Sequence, residues 1–515
     1  MSSRPFARLL EPLVRLACSQ TKAKVESLGN LLAPTIPEDL RQQIEAQIFS
    51  VAQTTLYHEF TRSRPIGVHL TNRLQPGLYS TEKAVQYERF LEHGLTPVLD
   101  QYPVLATLLE TVVADWVAGQ ARFLSRLETD FPSLLEFVGS TEEEHTGVES
   151  FEFLDTLPNA GRQLCIITFR SGRRVVYKPR DVGPDDQFSR FLDWHAEHHP
   201  GTRLRGCRHL VRDGYGWAEF VPFVTGEDID SELFLHKAGA LTAALYLLRG
   251  TDCHRENVIA SGNDPVLIDL ETLFHQECLP TTRFGMPPST SLLRTHMLAE
   301  IEGARALAGL ALVDPVSPKR LWNSIGTDAL HYEIKLVKRQ RRHLPCLLPK
   351  EIGPYLARGF EEMYRFICRR KEDVLHPDGP LGKASRSTSR FVLRGSGFYR
   401  RLLTKLQTPE ILASKAKTER LLDSLETGFD EEQKRKFQPL LNSERRALKR
   451  VAVPRFQSAV DGTALSDSEG TFRLESFFQE SGWTLLEKQL SRANERDLDY
   501  QLGILHRAAS KMDLE

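Results

Sequence analysis

Apolar residues fall on helical stripes through the first 150 residues. Leu9, Leu10, Leu13 and Leu16 form one stripe. Leu105, Leu108, Leu109, Val112 and Val113 form another, continued by Trp116, Ala118, Phe123, Leu124 and Leu127. A period near 3.6 predicts amphipathic helices. The stretch Ser140–Ser150, with glutamates at 142–144, breaks the pattern and reads as a boundary.

Beyond it the period shortens. Gln163–Phe169 is rich in β-branched and aromatic residues, Arg170–Arg174 reads as a turn, and Val175–Pro179 as the returning strand. A helix is expected from about Asp185 to Glu197 and a short strand at Trp217–Val221. Leu235–Arg249 reads as a buried helix closed by Gly250. Val258–Ala260 and Pro265–Ile268, joined by Ser261-Gly-Asn-Asp264, make a second hairpin. From Arg400 the chain reads as helical, interrupted by an expected loop at Val453–Thr471. The fold class is therefore α+β. Its expected parts are a helical accessory region at 1–150, a core at 151–275, a mixed region at 276–400 and a helical region at 401–515.

Charge narrows the function. Lys and Arg number 67 against 68 Asp and Glu, a net charge of −1 over 515 residues. That balance argues against a coat for nucleic acid or for an anionic membrane. Seven cysteines form no C-x-x-C pair, so neither a disulfide framework nor a Cys-rich zinc site is expected. Reduced thiols in a cytoplasm are the simplest reading. The longest uncharged, largely apolar run, Ala306–Val313, is too short for a membrane span.

The chemistry gathers at Thr251-Asp-Cys-His-Arg-Glu-Asn257, followed by Pro265-Val-Leu-Ile-Asp-Leu-Glu271. Asp252, then Asn257, a hairpin and Asp269 follow the order of a kinase catalytic loop and metal loop. Phosphoryl transfer needs a positioned hydroxyl and divalent ions on the phosphates. Asn257, Asp269 and Glu271 offer the hard oxygens that Mg²⁺ prefers. Asp252 suits activation of a hydroxyl. His254 reads first as a brace of the loop. The Asp-x-His-x-x-Asn form resembles lipid kinases more than protein kinases, so a two-lobed lipid-kinase-like core is expected. Lys178, at a strand end, is the expected phosphate cation, with Asp193 or Glu197 as its candidate acid partner. Glu219 lies on the strand expected to run to the adenine hinge.

Several longer segments carry a family resemblance. Tyr177-Lys-Pro-Arg180, Asp213–Trp217 with Glu219-Phe-Val221, Thr251–Ser261, Pro265–Phe274 and Phe477–Gly482 resemble the dehydratase domain of class II lanthipeptide synthetases, the LanM family. The resemblance implies phosphorylation of Ser and Thr in a leader-bearing precursor peptide, using ATP and Mg²⁺, then elimination of phosphate. By position it assigns Lys178, Asp252, His254, Asn257, Asp269 and Glu271 to phosphorylation and metal binding. The family's elimination segment, Arg-x3-Arg-x-Thr-x2-Tyr, is met by Arg390-Phe-Val-Leu-Arg394-Gly-Ser396-Gly-Phe-Tyr399, with Ser396 in place of the Thr.

Two departures are visible. Asp155–Arg162 stands where the family has a Gly-Asp-x-His-like segment. No Cys-His-Gly segment of a zinc cyclase follows, so a stand-alone dehydratase without zinc is expected, served by a separate cyclase or other tailoring enzymes. The rival readings are a peptide kinase that no longer eliminates and a non-enzymatic leader-binding scaffold. His195, His198 and His199 read as a helix terminus, Lys335–His343 as a solvated basic helix face, and Gly379–Ser385 as a flexible loop.

Overall fold

The computed structural model describes residues 4–64, 84–139, 147–154, 157–277, 290–300, 306–312, 316–338 and 342–512. Most of the expected boundary at 140–150, with Asp155 and Cys278, lies outside them. In chain order the elements begin with helices α1 (Ala7–Ser27), α2 (Ile36–Ser63) and α3 (Pro103–Val138). Strands β1 (Val148–Phe153), β2 (Cys165–Phe169) and β3 (Arg174–Lys178) follow, then α4 (Gly183–His198). Next come β4 (His209–Arg212), β5 (Tyr215–Glu219), α5 (Ser231–Leu247), β6 (Val258–Ser261) and β7 (Asp264–Leu267). The chain continues through β8 (Val316–Asn323), β9 (His331–Lys338), α6 (Gly353–Arg369), β10 (Thr388–Phe391) and α7 (Ser396–Leu406). It closes with α8 (Gln438–Lys449), β11 (Phe456–Ala459), β12 (Leu465–Asp467), β13 (Arg473–Leu474), α9 (Gly482–Arg492) and α10 (Glu495–Ser510). Helices beside short antiparallel sheets make the class α+β, as expected.

Two compact units emerge: Met1–Tyr177, Pro318–Val337 and Gly395–Pro454 form the first, and Lys178–Ser317, Lys338–Arg394 and Arg455–Glu515 the second. In the first, α1, α2 and α3 pack together. The buried stripe of α1 runs Leu9, Leu10, Val14, Ala17, and Leu16 faces solvent. α3 buries the expected apolar residues apart from Ala118, beside which Gly119 is buried instead; a Cβ there would collide with the Gly161 carbonyl. Gln43 of α2 accepts hydrogen bonds from Trp116 Nε1 and Gln120 Nε2, each at 2.8 Å, so these buried polar groups are partnered. β2 and β3 form the expected hairpin with Cys165 opposite Tyr177.

By length and composition α3 passes as a membrane-crossing candidate. Its packing is that of a core helix: Asp115 pairs with Arg450 at 2.8 Å, and its apolar face is covered by α1 and α2. β8 and β9 form a two-stranded ribbon. Lys335–Lys338 therefore begin the basic run on a strand and not on the expected helix face. Ile334 and Leu336 alternate with the charged Glu333 and Lys335, a period of two that a helix cannot use.

In the second unit α5 is apolar nearly all round and α6 lies against it. Their backbones approach closely because two glycines leave room. A Cβ on Gly239 would collide with the Leu356 carbonyl, and one on Gly359 with the His236 carbonyl. Tyr246 and Tyr364 donate to Asp497 of α10 at 3.0 and 2.6 Å. α5 ends at Leu247, three residues before the expected closing glycine. Arg249 takes the left-handed conformation, φ 58, while Gly250 N–H bonds the Leu245 carbonyl at 2.7 Å. A Cβ on Gly250 would meet the end of the Leu245 side chain at 2.7 Å.

β6 and β7 form the second expected hairpin, Ser261 opposite Asp264. The expected loop at Val453–Thr471 instead carries β11 and β12, part of the sheet ordered β10-β11-β12-β13. The expected flexible loop at Gly379–Ser385 is a packed turn, with Leu381 and Ala384 buried.

Candidate active site

Every site residue discussed next except Ser396 belongs to the second unit. β3 ends at Lys178, and Pro179 prevents the strand from continuing. Lys178 is buried, donates to Asp185 at 3.2 Å and also donates to the Ile268 carbonyl, next to Asp269. Its acid partner is thus Asp185 and not the expected Asp193 or Glu197. Asp185 sits in the first turn of α4, one strand end away, whereas the other two lie further along the helix. Arg180 makes the next link. It donates to both Asp185 oxygens, at 2.7 and 3.0 Å, and to Asp269, and its Nε lies 3.2 Å from Glu271.

Glu271 is buried and carries the far end of the network. Arg390 reaches one of its oxygens at 2.5 Å, and Arg455 reaches the other. β10 is held beside this segment by the Arg390 N–H to the Glu271 carbonyl at 2.6 Å. One run of ion pairs therefore joins Lys178, Asp185, Arg180, Asp269, Glu271 and Arg390.

The electrostatics follow from burial against pairing. Burial alone would raise the Asp185 carboxyl, but Arg180 and Lys178 outweigh it and hold it well below the usual range. For Glu271, burial is likewise overcome by Arg455, Arg390 and Arg180. At Asp269 burial prevails over Arg180, helped by the neighbouring Glu271 charge, and the carboxyl is raised.

The Asp252 loop hangs from α5. Asp252 takes a left-handed conformation, φ 60, and is half-exposed. Cys253 N–H bonds the Thr295 carbonyl at 2.9 Å, and His275 N–H bonds the Arg249 carbonyl at 3.0 Å. Asn257 Nδ2 donates to the Asp252 carbonyl at 2.8 Å, and His254 Nδ1 accepts from Glu256 N–H at 3.2 Å. His254 thus braces its own loop. His254 Nε2 and His296 Nδ1 each lie 3.9 Å from one Asp252 oxygen. Burial lowers the His296 pKa, against the pull of Asp252.

Glu219, on β5, accepts from Arg208 at 3.0 Å and from Arg205 at 3.4 Å. Ser396 opens α7, is exposed, and belongs to the first unit. Asp185, Arg180, Arg455 and His296 were not assigned a site role by sequence reasoning. The first two had a signal, because they sit directly beside Lys178 and at a helix start. Arg455 and His296 had none; their neighbours come from distant parts of the chain.

The donor set can be tested against Mg²⁺ and ATP. Asn257 Oδ1 and Asp269 Oδ2 make no hydrogen bond among the described residues. Two hard oxygens suit Mg²⁺, which keeps water and substrate phosphates as its other ligands. Glu271 fits only if its arginines release it. Among the described residues no cluster of three His, Cys, Asp or Glu forms a dedicated metal cage.

Residues 102–459 match the family described as "Domain of unknown function (DUF4135)". The chain belongs to the DUF4135 family. The family match spans the Lys178 strand, the Asp252 loop, Asp269, Glu271 and Arg390, and ends just past Arg455. Among curated proteins this DUF4135 chain is similar to the lacticin 481/lactococcin biosynthesis protein LcnDR2 of Lactococcus lactis subsp. lactis. The two are 23% identical over 406 residues, covering 72% of this chain and 42% of the relative. The chain thus spans less than half the length of that relative.

Proposed function

We propose that this chain is an ATP-dependent dehydratase of a ribosomally made, leader-bearing precursor peptide in lanthipeptide or related biosynthesis. The similarity to a lacticin 481/lactococcin biosynthesis protein supports the pathway class. The observation that carries the reaction is the continuous run of ion pairs from Lys178 to Arg390. Groups suited to phosphoryl transfer and a guanidinium suited to a departing phosphate share one network.

In the first step Asp252 accepts the proton of a Ser or Thr hydroxyl, whose oxygen attacks the terminal phosphorus of ATP; the bond from that phosphorus to the β-phosphate oxygen breaks and ADP leaves. Lys178 holds phosphate, and Asn257 and Asp269 would hold Mg²⁺. When bound, that ion neutralises charge on the phosphates. In the second step a base takes the α-proton of the phosphorylated residue. The Cα–H pair becomes the double bond, the Cβ–O bond breaks, and phosphate leaves with the Cβ–O pair. Arg390 meets the phosphate, since its planar donors match phosphate oxygens. Ser396 retains the hydroxyl of the family's Thr.

The test is co-expression with short candidate precursors encoded nearby, read by mass spectrometry. Dehydrated Ser or Thr is expected. Asp252→Asn should abolish phosphorylated and dehydrated products alike, and Arg390→Ala should let phosphopeptide accumulate. Normal dehydration by Arg390→Ala would refute the elimination assignment. The exposed position of Ser396 favours one second reading, a peptide kinase without elimination; it would show as phosphopeptide alone in the wild type.

A further inference from the structure

The register of β10 and β11 sets Arg390 beside two side chains that the mechanism above does not use, Arg455 and Gln457. Arg390 lies directly opposite Gln457, and Phe391 opposite Phe456. Residues two apart on a strand share a face, so Arg390, Gln457 and Arg455 point to one side. The other side carries Ser389, Phe391, Phe456 and Ser458, all buried. The first side lines a small cavity together with Arg180, Asp181, Glu271, Thr388 and Phe456, and the Asp181 oxygens there are already taken by Gly183 N–H and by Thr388.

Donors in this cavity outnumber acceptors. A guanidinium has five N–H groups. Arg180 spends its own on Asp185, Asp269, the Asp181 carbonyl and, through Nε, Glu271. Among the described residues Arg390 and Arg455 have only the Glu271 carboxylate as side-chain acceptor, and buried Arg390 Nε has no acceptor among them. The Gln457 amide likewise makes no side-chain hydrogen bond among the described residues. Two guanidiniums thus rest on a single carboxylate that Arg180 also approaches, beside an amide with no side-chain partner among the described residues; a tetrahedral dianion would match this donor set better.

We propose that Arg390, Arg455 and Gln457 form a binding site for a phosphate monoester or inorganic phosphate, and that Glu271 is the resident anion that phosphate displaces. The physiological occupant, the phosphorylated side chain and then its released phosphate, rests on the dehydratase reading; the anion site does not. The cavity measures about 20 Å³. That is room for roughly one water and not for phosphate beside the carboxylate. Phosphate therefore takes the place of the carboxylate on the two guanidiniums. Arg455 is the second half of the clamp whose first half is Arg390.

The test is calorimetric titration of the full chain with inorganic phosphate in phosphate-free buffer. Wild type should bind one phosphate saturably. Arg455→Met should weaken binding at least tenfold, with Arg455→Lys between the two because it keeps the charge and loses the fork. Glu271→Gln should tighten binding several-fold, since the competing anion is gone; a merely structural role for Glu271 predicts no tightening. Failure of wild type to bind, equal affinity in Arg455→Met, or weaker binding in Glu271→Gln would overturn the site. Should Arg455→Met fail to fold, judged by circular dichroism, Arg455→Lys and Gln457→Leu carry the same comparison. Titration with MgADP reports on the kinase-like reading separately. A chain that binds phosphate but no MgADP keeps this site and loses that reading.

Discussion

Arg180 carries more of the site than its place in the sequence suggests. It touches three carboxylates, of which Asp185 and Glu271 are buried, and its own side chain is 9% exposed. Removing one partner of such a pair leaves an uncompensated charge, which costs about 3–5 kcal/mol. Arg180→Ala should therefore lower stability by that order in denaturant titration, with Lys178→Met costing less because Arg180 still holds Asp185. An unchanged unfolding midpoint in Arg180→Ala would show that the carboxylates find water instead. The Lys178 position at a strand end was legible in the sequence because Pro179 stops the strand. Its partner was not, since choosing among Asp185, Asp193 and Glu197 requires the angle at which α4 leaves β3.

Among the elements, the α5–α6 crossing is the firmest prediction. Gly239 and Gly359 stand where helix backbones touch, and overpacking such a contact costs about 1–3 kcal/mol or more. Gly359→Ala should destabilise by at least about 2 kcal/mol, read as a lowered midpoint in urea, even though alanine is the better helix former. The helices and hairpins were readable because their contacts are local in sequence and stamp a period on it. The β10–β11 pair was not readable. Its strands are four residues each and pair across a long intervening segment, so no alternation long enough to notice appears in either. The ribbon β8–β9 was missed for a different reason: its charges invited a helix, while its alternation of two was present but brief.

For the whole chain, acid sensitivity follows from buried groups. Burial brings the pKa of His209 down to about 3, against Asp185 on one side and with Lys178 and Arg180 on the other. Burial and His199 bring His195 down to about 4. Unfolded histidines titrate near 6.5, so between these values the unfolded chain binds more protons and stability falls as pH falls. Asp185 and Glu271 are held below the usual carboxylate range, which adds a second loss from about pH 4 downward. Asp269, whose carboxyl is raised, opposes this in part. Stability between pH 7 and pH 4 should drop by a few kcal/mol, roughly the sum of such shifts after partial cancellation. Unfolding midpoints across that range are the measurement, and His209→Gln should flatten the upper half of the curve. A midpoint that rises on acidification would contradict the burial of both histidines.

The left-handed turn at Arg249 and the bonds from Cys253 to Thr295 and from His275 to Arg249 tie the Asp252 loop to chain segments remote in sequence. Those amides cannot open one at a time by local fraying. In deuterium uptake they should keep the pace of α5, exchanging late and together.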